Sequence, residues 1–290
     1  MVKDSKTGNR PNRLQSKYEL GILGLVKNTV NLWARNLPQY IVIVGLTGVA
    51  LAIVQGLILF SIFGITGFAL MEFIGSSPID SVFSLVLFII PSHLLIPLFV
   101  LTLVGLGVYA IIAGGAIHYA KTDYENPGSS SIKESLSFSV SLAVPLIAVQ
   151  LLQSLILVGL TLAAVLMMYV DSLITLVMIF FILYIAARLT PALAIVIAEE
   201  RFPINALSRS WQLTGGVFWH VFFGQLLMVI TVIMIDIAIA VGMSFILPFV
   251  IAIPEIVVFI VTLISSLVVS SINYIYLAVL FKDLEARNSS

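Results

Sequence analysis

The sequence predicts an all-α protein: a polytopic bundle of about six transmembrane helices with amphipathic elbow helices at the membrane interface. Three observations predict this fold, namely an apolar composition, long apolar runs and a one-sided placement of basic residues. Of the 290 residues, 60% are hydrophobic and 10% are charged, and the mean hydropathy is +1.16. A soluble domain carries about 25% charged residues to cover its surface. The solvent around this chain is therefore expected to be apolar.

Long apolar runs predict the individual spans. A bilayer core requires about 20 apolar residues per helix, and six runs meet that length: residues 39–64, 82–119, 139–169, 172–198, 217–247 and 254–281. Only residues 170–171 separate the third span from the fourth, which predicts a very tight turn. The first run is longer than the roughly 7–15-residue core of a signal peptide, so we expect it to remain in the mature protein.

Basic residues predict the orientation. Of the 14 lysines and arginines, only Arg188 falls inside a span. The others precede the first span, follow the sixth span or lie near residues 121–138 and 199–216. The remaining loops carry acidic residues but no lysine or arginine. Under the positive-inside rule, both termini are cytoplasmic in a multi-pass protein of the cell (plasma) membrane. The predicted organisation is a basic tail at 1–17, an integral domain at 18–282 and a C-terminal tail at 283–290.

Two amphipathic segments precede the first and fifth spans, at residues 18–37 and 203–214. Their apolar positions recur at steps of three and four, which is typical of a helix lying in the interface. Trp33, Trp211 and Trp219 are the expected interfacial anchors. A shared pattern of hydroxyl, apolar, polar and apolar residues occurs at 29–32, 135–138 and 210–213. This pattern favours three related units, each made of an interfacial helix and a pair of spanning helices. The alternative is that similar elbow sequences arose independently.

The stretch from Arg188 to Trp219 is the most distinctive part of the chain. It reads RLTP at 188–191, EE at 199–200 and ALSRSWQLTGG at 206–216. This resembles a membrane-domain family that is joined to some glycerophosphoryl diester phosphodiesterases and also occurs as stand-alone prokaryotic proteins. The resemblance implies a six-helix integral domain. It does not imply phosphodiesterase activity, because that chemistry belongs to a separate soluble barrel, which no segment here can form.

Ionisable groups inside a membrane span are costly and are therefore candidates for function. Arg188 is predicted to lie roughly 15 Å along the helix from the cytoplasmic end of the fourth span, at 1.5 Å per residue. The polar residues predicted at a similar depth are Gln150, Gln153, Gln225 and Asn273. One interpretation is a cavity, open to the cytoplasm, that holds a phosphate or carboxylate headgroup on the planar fork of Arg188. The structural alternative is a set of interhelical hydrogen bonds that fix packing.

Asp236 and His93 form a second candidate pair, in the outer half of the bundle. If they faced each other, they would suit a proton-coupled site. The alternative is again that each forms interhelical hydrogen bonds that fix packing. Ala110 and Gly114 form a pair of small residues that allows close helix approach.

The sequence is compatible with three functions. The first is a non-enzymatic membrane protein that interacts with lipids, anionic ones included, or assists membrane partners. The second is a small transporter or channel with a polar cavity near Arg188. The third is a lipid enzyme using Glu199, Glu200 and His220. No nucleotide-binding, nucleophile or metalloprotease motif is present, and the absence of cysteine excludes disulfides and thiolate chemistry. We therefore expect no catalytic residue, cofactor, metal or nucleic-acid partner.

Overall fold

The computed structural model describes residues 18–46, 48, 92–246, 261, 264–265 and 267–289, and its regular structure there is helical throughout. This confirms the all-α bundle. The helices are α1 Ile22–Arg35, α2 Leu37–Tyr40, α3 Ser92–Glu125, α4 Ile132–Ser141, α5 Ala143–Met168, α6 Ser172–Leu189, α7 Ala192–Glu199, α8 Pro203–Thr214, α9 Phe218–Ile246 and α10 Ile272–Ser289. A π-helical turn, Ile41–Leu46, follows α2.

Five segments among the described residues are long and apolar enough to cross a membrane. They are Thr102–Glu125, Ala143–Met168, Ser172–Glu199, Phe218–Met243 and Leu267–Ser289. Residues 47 and 49–64 of the first predicted span lie outside the described residues, so a total of six stays a prediction. The predicted tight turn between the third and fourth spans is confirmed. Asp171 caps α6 there by accepting a 2.6 Å hydrogen bond from the backbone N–H of Leu173.

Breaks in the helices account for the differences from the predicted boundaries. The third predicted span begins with the last residues of the elbow helix α4, and Leu142 separates that helix from α5. The fourth is divided at Thr190–Pro191 into α6 and α7, because proline has no N–H for the helical ladder. The final helix extends to Ser289, so residues 283–289 are its last turns.

The three amphipathic elbows, α1, α4 and α8, lie at the same end of the bundle, called the elbow end below. Elbow α4 packs on the preceding helix α3, and α8 packs on the preceding α6 and α7. Elbow α1 packs on α10 and α9, which closes a ring. The first residue of each repeated pattern, Thr29, Ser135 or Ser210, is at most 1% exposed. Equivalent burial and cyclic packing favour three related units.

The buried core lies at the elbow end. Of the residues in the most apolar window of each span, 61% are buried in Thr102–Glu125 and 67% in Leu267–Ser289, but only 6% in α5 and in α9. Short α7 is almost wholly buried and packs on α3 and α10. Helices α3, α7 and α10 therefore form the interior. Helices α5 and α9 present large apolar side chains outward, as expected of surfaces that face lipid.

Candidate functional site

Arg188 lies in the last turn of α6, where the chain breaks before α7. The hydroxyl of Thr190 lies 2.8 Å from the carbonyl oxygen of Ala186 and 2.7 Å from the side-chain oxygen of Gln225 in α9. The backbone carbonyl of Arg188 also accepts a 2.6 Å hydrogen bond from the hydroxyl of Ser210 in α8. The break is therefore tied to two neighbouring helices, and it holds Arg188 beside an elbow.

Neutral groups hold the guanidinium of Arg188. Its Nε and Nη2 donate to the hydroxyl oxygen of Tyr184 at 3.1 and 2.9 Å. Its Nη1 donates to the carbonyl oxygen of Trp211 at 3.2 Å and to the hydroxyl of Thr214 at 3.4 Å. These contacts place the charge level with the last turn of α8. The depth of roughly 15 Å expected from the sequence assumed an unbroken helix, and the break after Leu189 removes that assumption.

Three aromatic rings surround the guanidinium and are called the aromatic box: Tyr184, Trp211 and Phe218. The Cζ atom of Arg188 lies 5.2, 5.1 and 5.9 Å from their ring centroids, respectively. The Tyr184 ring contacts the other two, with centroid distances of 5.9 Å to Trp211 and 4.9 Å to Phe218. Cation–π attraction supplies about 0.5–1 kcal/mol at exposed sites and about 2 kcal/mol when desolvated. The box stabilises the cation without neutralising it.

Arg188 differs from the other arginines that the structure describes, because it has no carboxylate partner there. The other four all form ion pairs, which are Arg35–Asp123, Arg201–Glu199, Arg209–Glu199 and Arg287–Asp283. Arginine has five N–H donors, and the four contacts of Arg188 leave one N–H on Nη2 without a partner among the described residues. Among the described residues, therefore, nothing neutralises the positive charge of this site, and one donor is left.

One side of this charge is accessible. Gly215 and Gly216, which follow α8, are both exposed. A Cβ atom built on Gly215 would lie 3.6 Å from Nη1 of Arg188, so this exposed glycine lies directly beside the guanidinium of a half-buried arginine. The rings of Trp211 and Trp219 nearby are 42% and 65% exposed. An anion can thus approach from the interface between α8 and α9.

The structure does not join Arg188 directly to the cavity residues expected from the sequence. In the described part of the chain, no hydrogen bond links it to any of Gln150, Gln225 and Asn273. Gln225 contacts Thr190 instead, and Gln153 donates a 2.6 Å hydrogen bond to the carbonyl oxygen of Leu189. Gln150 in α5 is half-buried, and Asn273 in α10 is exposed. Gln225 and Gln153 thus form interhelical contacts of the kind that the structural alternative expects.

The second candidate pair stays a prediction. Asp236 is half-buried near the middle of α9. The backbone of His93 belongs to the first turns of α3, but its side chain lies outside what the structure describes.

The three tryptophans occupy the elbow end. Trp33 in α1 is half-buried, and its indole N–H donates a 3.0 Å hydrogen bond to the carbonyl oxygen of Val268. Trp211 belongs to the aromatic box. Trp219 stacks on Phe223 with a centroid distance of 5.6 Å and stays largely exposed. An exposed indole at such a position suits a water–lipid boundary.

Two buried carboxylates at the elbow end were not singled out from the sequence. Asp123 is 1% exposed and pairs with Arg35. It also accepts 2.7 Å hydrogen bonds from the side chain of Asn36 and from the backbone N–H of Gly128. A signal exists in the sequence: an acidic residue lies in the last turn of the helix before each of the two later elbows, at Asp123 in α3 and at Glu199 in α7.

Asp283 is the second of these carboxylates and is fully buried. It accepts hydrogen bonds from the backbone N–H of Leu20 at 2.6 Å, from Nε2 of His220 at 2.8 Å and from Nε of Arg287 at 3.0 Å. The guanidinium of Arg287 also donates to the carbonyl oxygen of Leu20. This network ties the start of the described chain to its end.

The residues proposed for a lipid enzyme are dispersed in the structure. Glu199 pairs with Arg201 and Arg209, while His220 pairs with Asp283. Glu200 is exposed and has a left-handed backbone, with φ at 50°. Within the described ranges, no three acidic or histidine side chains are grouped to hold a metal ion.

Comparisons with protein-family models, curated proteins and solved structures found no match to this chain. The fold and the polar groups of the site are therefore the basis for a functional proposal.

Proposed function

We propose that this chain is a non-enzymatic integral membrane protein that binds an anionic lipid headgroup at Arg188, and so organises lipid or assists membrane partners. One observation carries the proposal: a half-buried arginine that has three aromatic rings around it and no carboxylate partner among the described residues. A phosphate or carboxylate supplies the missing charge, and the planar fork of arginine suits either group.

The surroundings of Arg188 support a ligand that enters from the membrane interface. Trp211 and Trp219 flank the approach, and both are exposed. The resemblance of residues 188–219 to a domain joined to lipid-related enzymes agrees with this proposal. So does the basic N-terminal tail, since clustered lysines and arginines attract anionic lipid.

Native mass spectrometry of protein extracted gently from its own membrane tests the headgroup site. We expect Arg188→Gln, which keeps hydrogen-bond donors but removes the charge, to lose an anionic lipid that the unmodified protein retains. Arg209→Gln is the matched control, because it removes a cation from the same end that already pairs with Glu199. Equal lipid content in all three proteins would contradict the proposal.

A transporter is the second candidate, because two helices that contact each other are both interrupted. The α6–α7 segment breaks at Thr190–Pro191, and the last span breaks at Ser270–Ser271, just before α10. Broken helices line substrate sites in many transporters. Against this, Ala192–Glu199 is apolar and buried from Ala192 to Ile197. Flux through vesicles that is lost in Arg188→Gln would favour transport over static binding.

We also propose that the elbow end faces the cytoplasm, in the cell membrane, as the basic residues predict. The chain has no cysteine, so single cysteines can be labelled without background. With a maleimide that cannot cross the membrane of intact cells, Ser172→Cys at the α5–α6 turn should react and Ser129→Cys at the elbow end should not. Both serines are exposed. The reverse pattern would invert the topology.

A further inference from the structure

An apolar groove runs along the surface between α5 and α6. Its volume is about 460 Å³. The residues that line it are Leu155, Ile156, Gly159, Leu160, Phe181 and Ile185. None of them carries a polar side-chain atom. The groove is therefore suited to a hydrocarbon chain.

Gly159 leaves the groove open. A Cβ atom built on it would meet no atom within 4 Å, whereas a Cβ on Gly114 or Gly224 would approach a neighbouring side-chain atom to 2.8 Å or closer. Those two glycines are required by close packing. The space above Gly159 is therefore open.

Helical register connects the groove to the charge at Arg188. Phe181, Ile185 and Arg188 are spaced i, i+4 and i+7 along α6, so they share one face of the helix. At 1.5 Å per residue, Phe181 lies roughly 10 Å along the axis from Arg188. One leaflet of the hydrocarbon core is about 15 Å thick. A headgroup at Arg188 and a chain in the groove thus fit within a single leaflet.

We propose that the ligand is a phospholipid with an anionic headgroup, whose phosphate binds Arg188 and one of whose acyl chains lies in the α5–α6 groove. This inference rests on the headgroup site proposed above. The positive charge selects a negatively charged occupant, and the apolar lining requires that occupant to be amphiphilic. A free phosphate would leave the groove empty.

Filling the groove tests the inference. Gly159→Leu places an apolar side chain in the open space, and Gly242→Leu is the matched control. Gly242 is an exposed glycine on α9, where an added Cβ also meets nothing within 4 Å. The delipidated protein is titrated with phosphatidylglycerol that carries full-length acyl chains. We expect Gly159→Leu to weaken binding by about tenfold or more, equivalent to about 1.4 kcal/mol, and Gly242→Leu to leave it unchanged.

The outcomes separate the groove from the headgroup site. If Arg188→Gln weakens binding but Gly159→Leu does not, the acyl-chain inference is overturned and the headgroup proposal stands. If neither variant weakens it, both proposals are overturned. Inorganic phosphate that binds as tightly as the full-length lipid would overturn the groove as well. A stoichiometric protein partner that covers Ile156 and Phe181 in place of lipid would also overturn it.

Discussion

At the scale of residues, charge compensation separates structural groups from the candidate site. Asp283 and Asp123 are buried and accept three hydrogen-bonding partners each, so their negative charges are satisfied within the fold. Arg188 is satisfied only by neutral groups and aromatic rings. The sequence singled out Arg188, because it is the one basic residue inside a predicted span. Its ring partners could not be predicted, since two of them lie on α8 and α9 and reach it only across the helix break.

Removing the buried charge of Asp283 should destabilise the protein. Asp283→Asn keeps the shape but removes the buried negative charge that pairs with Arg287, and removing one charge of a buried pair costs about 3–5 kcal/mol. Glu285→Gln on the same helix is the control, because the Glu285 side chain is exposed and Lys282 keeps a second partner, Glu125; exposed pairs contribute at most about 1 kcal/mol. The midpoint of thermal unfolding in detergent measures both. Similar shifts for the two variants would show that the Asp283 network is not a structural anchor.

At the scale of elements, proline and glycine determine where the helices end and how closely they approach. The sequence predicted Pro203–Thr214 with both of its boundaries, because a proline begins it and a glycine pair follows it. It did not predict the break at Thr190–Pro191, because hydropathy is continuous through that point and masks the missing backbone donor. Small residues gave a correct indication in α3, where Gly114 lies against Ser139 of α4 and Leu146 of α5.

Gly114→Ala should weaken the packing of α3 on α4 and α5. The new Cβ would lie 2.5 Å from the hydroxyl of Ser139 and 2.7 Å from a methyl of Leu146, and both side chains are fully buried. Overpacking of this kind costs about 1–3 kcal/mol. Gly159→Ala has open space and should be neutral or stabilising by up to about 1 kcal/mol. Thermal unfolding of the two variants compares them, and equal shifts would contradict the close approach at Gly114.

At the scale of the whole molecule, each of the three elbows packs on the helices of the preceding unit, which closes a ring of units. The α5–α6 hairpin and α9 have apolar surfaces that face outward. Composition and span length predicted the bundle, because a bilayer restricts a chain to very few architectures. The ring could not be read from the four-residue patterns alone, because it depends on α1 packing against α10 from the opposite end of the chain. Arg188 and the exposed indole of Trp211 lie together at the elbow end of the molecule.

The most direct measurement of the central claim is native mass spectrometry of the unmodified protein, extracted gently from its own membrane. Anionic lipid bound at Arg188 predicts one retained anionic phospholipid per chain, which a wash with neutral detergent removes more easily from Arg188→Gln. A chain that emerges without lipid, or with a stoichiometric protein in place of lipid, would contradict it.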